Sequence, residues 1–93
     1  MIRNFADKEA EKIWCGTPSR RLPADIQPVA RRKLRMLGNA SRLDDLRIPP
    51  ANRLEALKGS RNGQHSIRIS DQGCVCFRWI DGDAHDVEIV DYH

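Results

Sequence analysis

No stretch of this chain approaches the roughly 20 consecutive apolar residues that a membrane-spanning helix needs. The opening MIRNFADKEA carries charges where an export signal needs an apolar run, so the cytoplasm is the expected compartment. Cysteine is sparse and odd in number, three in all at irregular spacing, which argues against a disulfide framework and for a reducing environment. Internal repeats and low-complexity tracts are absent as well. A length of 93 residues leaves no room for a second core, so one domain spanning 1–93 is expected.

What is present is a composition of 40% hydrophobic and 31% charged residues, enough for one compact core beneath a polar surface. The net charge is only +3, but it is unevenly placed. Residues 20–35 hold Arg20, Arg21, Arg31, Arg32, Lys33 and Arg35 against Asp25 alone. Residues 81–91 hold Asp81, Asp83, Asp86, Glu88 and Asp91 with no Lys or Arg. A basic region of this kind suits a polyanion such as RNA or an acidic protein partner, and equally the solvated face of a helix.

The hydrophobic period changes once along the chain. After a short extended start at Ile2 to Phe5, Ala6, Ala10, Ile13 and Trp14 share one face of a helix over 7–14, which Gly16 and Thr17-Pro18 stop. A second helix is expected over 25–37, its buried stripe formed by Ile26, Val29, Ala30, Leu34 and Leu37. Pro28 fits only in its first turn, and Gly38-Asn39 ends it, with the Arg/Lys cluster complementing the helix dipole. Ser41 caps a brief turn through Leu46, and 48–59 reads as a loop broken by Pro49-Pro50. From Gln64 onward the pattern alternates: Ile67 and Ile69, then Val75, Phe77 and Trp79, then Val87 and Ile89, with turns at 71–73 and 81–83. The expected fold is α+β: two N-terminal helices packed on an antiparallel sheet, a three-stranded meander plus a short N-terminal strand. Alternation turns Ser66, Arg68, Ser70, Cys74, Cys76, Arg78, Glu88, Val90 and Tyr92 away from the helices.

The stretches NRLEALKGSRNGQHSIRISDQ, CFRW and VEIVDYH resemble the HigB branch of the RelE/ParE toxin superfamily, the toxin halves of type II toxin–antitoxin pairs. MIRNFADKEAEKIW and ARRKLRMLGNASRLDDLRIPP fit as well, so the resemblance covers essentially the whole chain. It implies a RelE-like fold and ribosome-dependent cleavage of messenger RNA by a metal-independent endoribonuclease with no cofactor. It also implies a cognate helix-turn-helix antitoxin, the ribosome and mRNA as partners, and operator DNA reached only through the antitoxin complex. Carried over by position, Lys58 of the LKG motif, Tyr92 and His93 match residues lining the family's active site. Glu55 stands at a further family position three residues before that lysine. The family's arginine follows a tryptophan after DQ; here DQ is followed by Gly73 and Cys74, so Cys74 occupies the arginine position.

Metal-free RNA cleavage needs a base for the attacking 2′-hydroxyl, cations for the phosphorane charge and an acid for the leaving 5′-oxygen. Imidazole titrates near neutrality, so His93 suits acid or base; Lys58 suits the phosphate charge, and Tyr92 suits base stacking or proton donation. Arginine offers a flat fork matched to phosphate, and a thiol offers neither charge nor fork. Arg53, Arg61, Arg68 and Arg78 are the further candidates for RNA phosphates. Two functions therefore stay open: an active mRNA endonuclease, and a catalytically impaired protein of the same fold acting through antitoxin and operator-complex binding. Gyrase poisoning, the mode of the ParE branch, is disfavoured because LKG and DYH follow the nuclease branch.

Zinc needs four ligands at paired spacings, which Cys74-Val75-Cys76, a distant Cys15 and three scattered histidines do not supply. Strand neighbours i and i+2 lie about 6.5–7 Å apart along the backbone, too far for easy disulfide closure. Cys74 and Cys76 are accordingly read as space-filling side chains, Cys76 ordinary for the family and Cys74 a substitution.

Overall fold

The computed structural model describes residues 1–91. Helix α1 (Lys8–Trp14) and helix α2 (Gln27–Asn39) come first, followed by 3-10 turns at Leu43–Arg47 and Pro50–Asn52. Strand β1 (Glu55–Ala56), a further 3-10 turn at Gly59–Arg61, and strands β2 (His65–Ser70), β3 (Gly73–Ile80) and β4 (Asp83–Asp91) complete the order. The four strands pair antiparallel in the order β1-β2-β3-β4, so the sheet is the meander with one short strand added at the β2 edge. Two helices on one face of this sheet make the α+β class expected from the change of period.

Each helix starts where its sequence permits. The Asp7 side chain accepts a hydrogen bond from the Glu9 N–H at 3.0 Å, satisfying one of the donors that α1 leaves unpaired. Pro28 lies in the first turn of α2, where its missing N–H costs no helical bond. The connection between the helices is held by Gln27, which accepts from the Ser19 N–H and donates to the Ser19 and Leu22 carbonyls. Ser19 in turn donates to Glu9 at 2.5 Å, and this bond holds the Glu9 carboxyl below its ordinary range.

The core lies between helices and sheet. Ala30, Leu34 and Leu37 of α2 meet Ile67, Val75, Phe77 and Val87 of the sheet, with Ala10, Ile13 and Leu46 closing the sides. Burying a large member of this set contributes about 1.5–3 kcal/mol. In β4 the inward residues are Ala84, Val87 and Ile89, a break in strict alternation. The pairing register shifts between Cys76 and Arg78 of β3, opposite Asp86, which adopts a left-handed φ of 52°. The extra residue restores the inward phase on both sides of the shift.

Several local expectations are corrected. Ile2 and Phe5 bridge Ala84 and Val87 in parallel, but these are isolated bridges; the fourth strand is β1, inside the segment read as loop. Ala6 is exposed and precedes α1, and Trp14 is 38% exposed, its ring tilted against Phe5 with centroids 6.3 Å apart. Gly38 does not stop α2. A Cβ there would come within 2.7 Å of the Trp14 Cη2, so this glycine lets the indole lie against a helix that runs on to Asn39. The extension leaves no basic residue in the last turn, and Arg31, Arg32 and Arg35 sit mid-helix instead of at its dipole.

Candidate functional site

The face of the sheet away from the helices carries a hollow of about 180 Å³. β2 contributes Ser66, Arg68 and Ser70 to it, the residues alternating with buried Ile67 and Ile69. β3 contributes Gly73 and Cys74, and the segment through β1 forms a wall with Arg53, Glu55 and Leu57. Asp71, at the β2–β3 turn, closes one end and lies 4.0 Å from Arg68. Arg53 takes a left-handed φ of 46° just after the Pro50–Asn52 turn. A non-glycine residue is uncommon in that conformation.

Alternation thus assigns Cys74 to the correct face, but not to an exposed one. Cys74 is 7% exposed and Cys76 is fully buried. Their sulfurs lie 3.6 Å apart and share a hydrogen bond. That bond first, and burial second, push the Cys76 thiol above the ordinary thiol range. Beside them Arg61 donates to Glu88 and, at 3.0 Å, to Gln64, and both charges are near enough to act on Cys76. Arg78 pairs with Asp86 at 3.5 Å and reaches over Gly63, where its guanidinium would stand 3.1 Å from an added Cβ.

Of the residues singled out from sequence, the hollow brings together Arg53, Arg68 and Cys74, with Glu55 beside them. Arg61 and Arg78 share the outer face but are engaged by Glu88 and Asp86. Lys58 is exposed at the start of the Gly59–Arg61 turn and is not among the lining residues. Tyr92 and His93 lie outside the described residues. Sequence reasoning missed Asp71 as a wall, having read it as a turn residue only. It also missed Lys33, counted with the basic face but in fact 6% exposed and hydrogen-bonded to buried Asn52. The signal was available: Lys33 is three after Ala30 and four before Leu37, inside the apolar stripe.

A larger groove of about 580 Å³ opens on the helix side, with Ile13, Pro18 and Ala24 beneath Arg31, Arg32 and Arg35. Among the described residues, no group of three or more His, Cys, Asp or Glu side chains is placed to hold a metal ion, and no helix is long and apolar enough to cross a membrane.

Two helices on one face of an antiparallel meander, with a polar hollow on the other, are the arrangement of a RelE-like toxin. Comparison with known sequences narrows this. The profile of the HigB-like toxins, described as the RelE-like toxin of the type II toxin–antitoxin system HigB, matches residues 3–93. Toxin HigB-1 of Vibrio cholerae serotype O1 is 41% identical over 85 residues, covering 90% of each chain. An uncharacterized protein of Haemophilus influenzae is 33% identical over 72 residues, 77% of this chain and 71% of that one. Endoribonuclease HigB of Proteus vulgaris is 27% identical over the full length of both. The chain belongs to the HigB-like toxin family, and an antitoxin is its family partner.

Proposed function

We propose that this toxin is a ribosome-dependent mRNA endonuclease whose substrate phosphate enters the hollow on the outer face of the sheet. The observation that carries the reading is the convergence of Arg53, Arg68 and Cys74 on one concavity, Cys74 standing where the family places an arginine. The name of the Proteus vulgaris relative, Endoribonuclease HigB, supports the same chemistry. Arg53 and Arg68 supply positive charge to the phosphorane, while Lys58, Tyr92 and His93 supply the remaining cation, stacking and proton transfer. No metal or cofactor enters this scheme. The thiol at position 74 leaves the site short of one guanidinium, which lowers the rate.

The basic face of α2, with Arg31, Arg32 and Arg35, is the proposed surface for ribosomal RNA. A helix-turn-helix antitoxin restrains the activity and carries the toxin to operator DNA. The action of such a protein lies in the cytoplasm.

Primer extension on a translated message in growing cells tests this reading. The chain should cleave between or within codons, and Cys74→Arg should raise cleavage by about 10²–10³-fold, the usual worth of one transition-state donor. Equal cleavage by both would show that position 74 bears no catalytic load. Absence of cleavage by both, with antitoxin still bound, would replace the nuclease by a protein acting through antitoxin and operator-complex binding.

A further inference from the structure

The backbone spacing of Cys74 and Cys76 gives no hint that their sulfurs meet, yet the side chains lean together to 3.6 Å. Cys74 keeps 7% exposure and forms part of the wall of the hollow, while Cys76 behind it has none. One sulfur thus belongs to a residue lining the hollow, and the other lies buried behind it. Across the strand pair, Cys74 lies opposite Arg68, and both residues line the hollow.

We propose that Cys74 and Cys76 form an oxidation site for hydroperoxides, with Cys74 as the attacked thiol and Cys76 as the resolving one. In the first step the Cys74 sulfur attacks hydrogen peroxide. An S–O bond forms, the O–O bond breaks, and the released hydroxide leaves as water with the thiol proton. In the second step Cys76 has lost the hydrogen bond to the Cys74 thiol that chiefly keeps it protonated, and its sulfur attacks the sulfenic sulfur. An S–S bond forms, the S–O bond breaks, and hydroxide departs as a second water with the Cys76 proton. The two cysteines lose two electrons and the peroxide gains them.

Closure requires the sulfurs to approach by about 1.5 Å, to the roughly 2.05 Å of a disulfide. The backbone span of an i, i+2 pair sits at the upper edge of what a disulfide tolerates, so β3 must pucker. The pairing that would resist this is interrupted beside the two cysteines. β2 carries one extra residue across from Gly73 and Cys74, and β4 carries one extra residue across from the stretch between Cys76 and Arg78. A bulge on a neighbouring strand disrupts the ladder locally. The inference stands on this sulfur geometry and is independent of the RNA reading.

The unaltered chain provides the test. Trypsin releases residues 69–78, ISDQGCVCFR, which hold Cys74 and Cys76 but not Cys15. After brief treatment of the folded protein with hydrogen peroxide, then iodoacetamide, this peptide should be lighter by two hydrogens and carry no label. Dithiothreitol before labelling should restore two labels. In a Cys76→Ser variant, Cys74 should stop as a sulfenic acid captured by dimedone. Two labels on the peptide at a peroxide dose that oxidises exposed Cys15 would overturn the proposal. So would added oxygens on Cys74 beside a labelled Cys76, or a disulfide to Cys15 in place of the internal one. These readouts come from the unaltered chain, so they hold even if the serine variant does not fold.

Discussion

The Lys33 ammonium donates a hydrogen bond to Asn52 Oδ1, joining the middle of α2 to the 3-10 turn at Pro50–Asn52. Both side chains are buried, and Asn52 also donates from Nδ2 to the Leu46 carbonyl at 3.2 Å. This clip fixes the segment that leads to Arg53 and β1, and so fixes one wall of the outer hollow. A long cation inside an apolar stripe is tolerable because the amide oxygen receives it.

Asn52→Ala leaves the ammonium without that acceptor and should cost about 2–4 kcal/mol in urea unfolding. Lys33→Met keeps the volume and removes the charge, so it should cost less. The two also differ in pH dependence. Burial first, and Arg32 second, lower the Lys33 pKa from its ordinary 10.5. Between the lowered value and 10.5 the unfolded chain binds more protons than the folded one, so this lysine makes stability rise with pH across that window. Comparing unfolding at neutral pH and at about pH 10, Lys33→Met should lose that rise. An unchanged slope would mean that Lys33 is hydrated in solution.

Gly38 and Trp14 offer a second check. Alanine in place of glycine inside a helix gains about 1 kcal/mol of propensity, but here the new Cβ would meet Trp14 Cη2 at 2.7 Å. Gly38→Ala should therefore displace the indole. In a proton–nitrogen correlation spectrum the Nε1–H signal of Trp14 should move while that of Trp79 stays. A stable variant with neither signal moved would contradict the packing.

The acid limit should be set in part at the N-terminus. Arg3 donates to Asp83 at 2.8 Å and the terminal amine lies 3.4 Å from the same carboxylate. The Arg3 hydrogen bond, chief among the causes, holds the Asp83 carboxyl below its ordinary 3.8. A carboxyl lowered on folding contributes stability that is present above its unfolded pKa and lost as pH falls through the folded one. Asp83→Asn should accordingly lower Tm at neutral pH and show a smaller further drop at about pH 3 than the unaltered chain. Equal drops would leave Asp83 with no part in acid unfolding.

Much of the layer structure was legible locally. Ile67, Val75, Phe77 and Ile89 fall at the inward positions of their strands, and all four are buried; Arg68 and Cys74 fall on the opposite face and meet there in one hollow. Trp14, Gly38 and β1 were not legible, because each depends on what a distant segment brings to it. A glycine that ends a helix and one that admits a tryptophan look the same in a one-dimensional pattern. A strand of two residues has too few positions to show a period.

By itself, then, the sequence determined the two helices and the three-stranded meander, most of their inward residues and, through its LKG and DYH motifs, the family. Local steric preference and hydrophobic period act over a few residues, so they are written wherever those residues stand. The tertiary structure alone decided which outward residues are covered, that two sulfurs one residue apart come into contact, and that the partner of the lysine within the apolar stripe of α2 is Asn52. Those outcomes depend on side-chain direction and on contacts between segments far apart in the chain, and no local period encodes either.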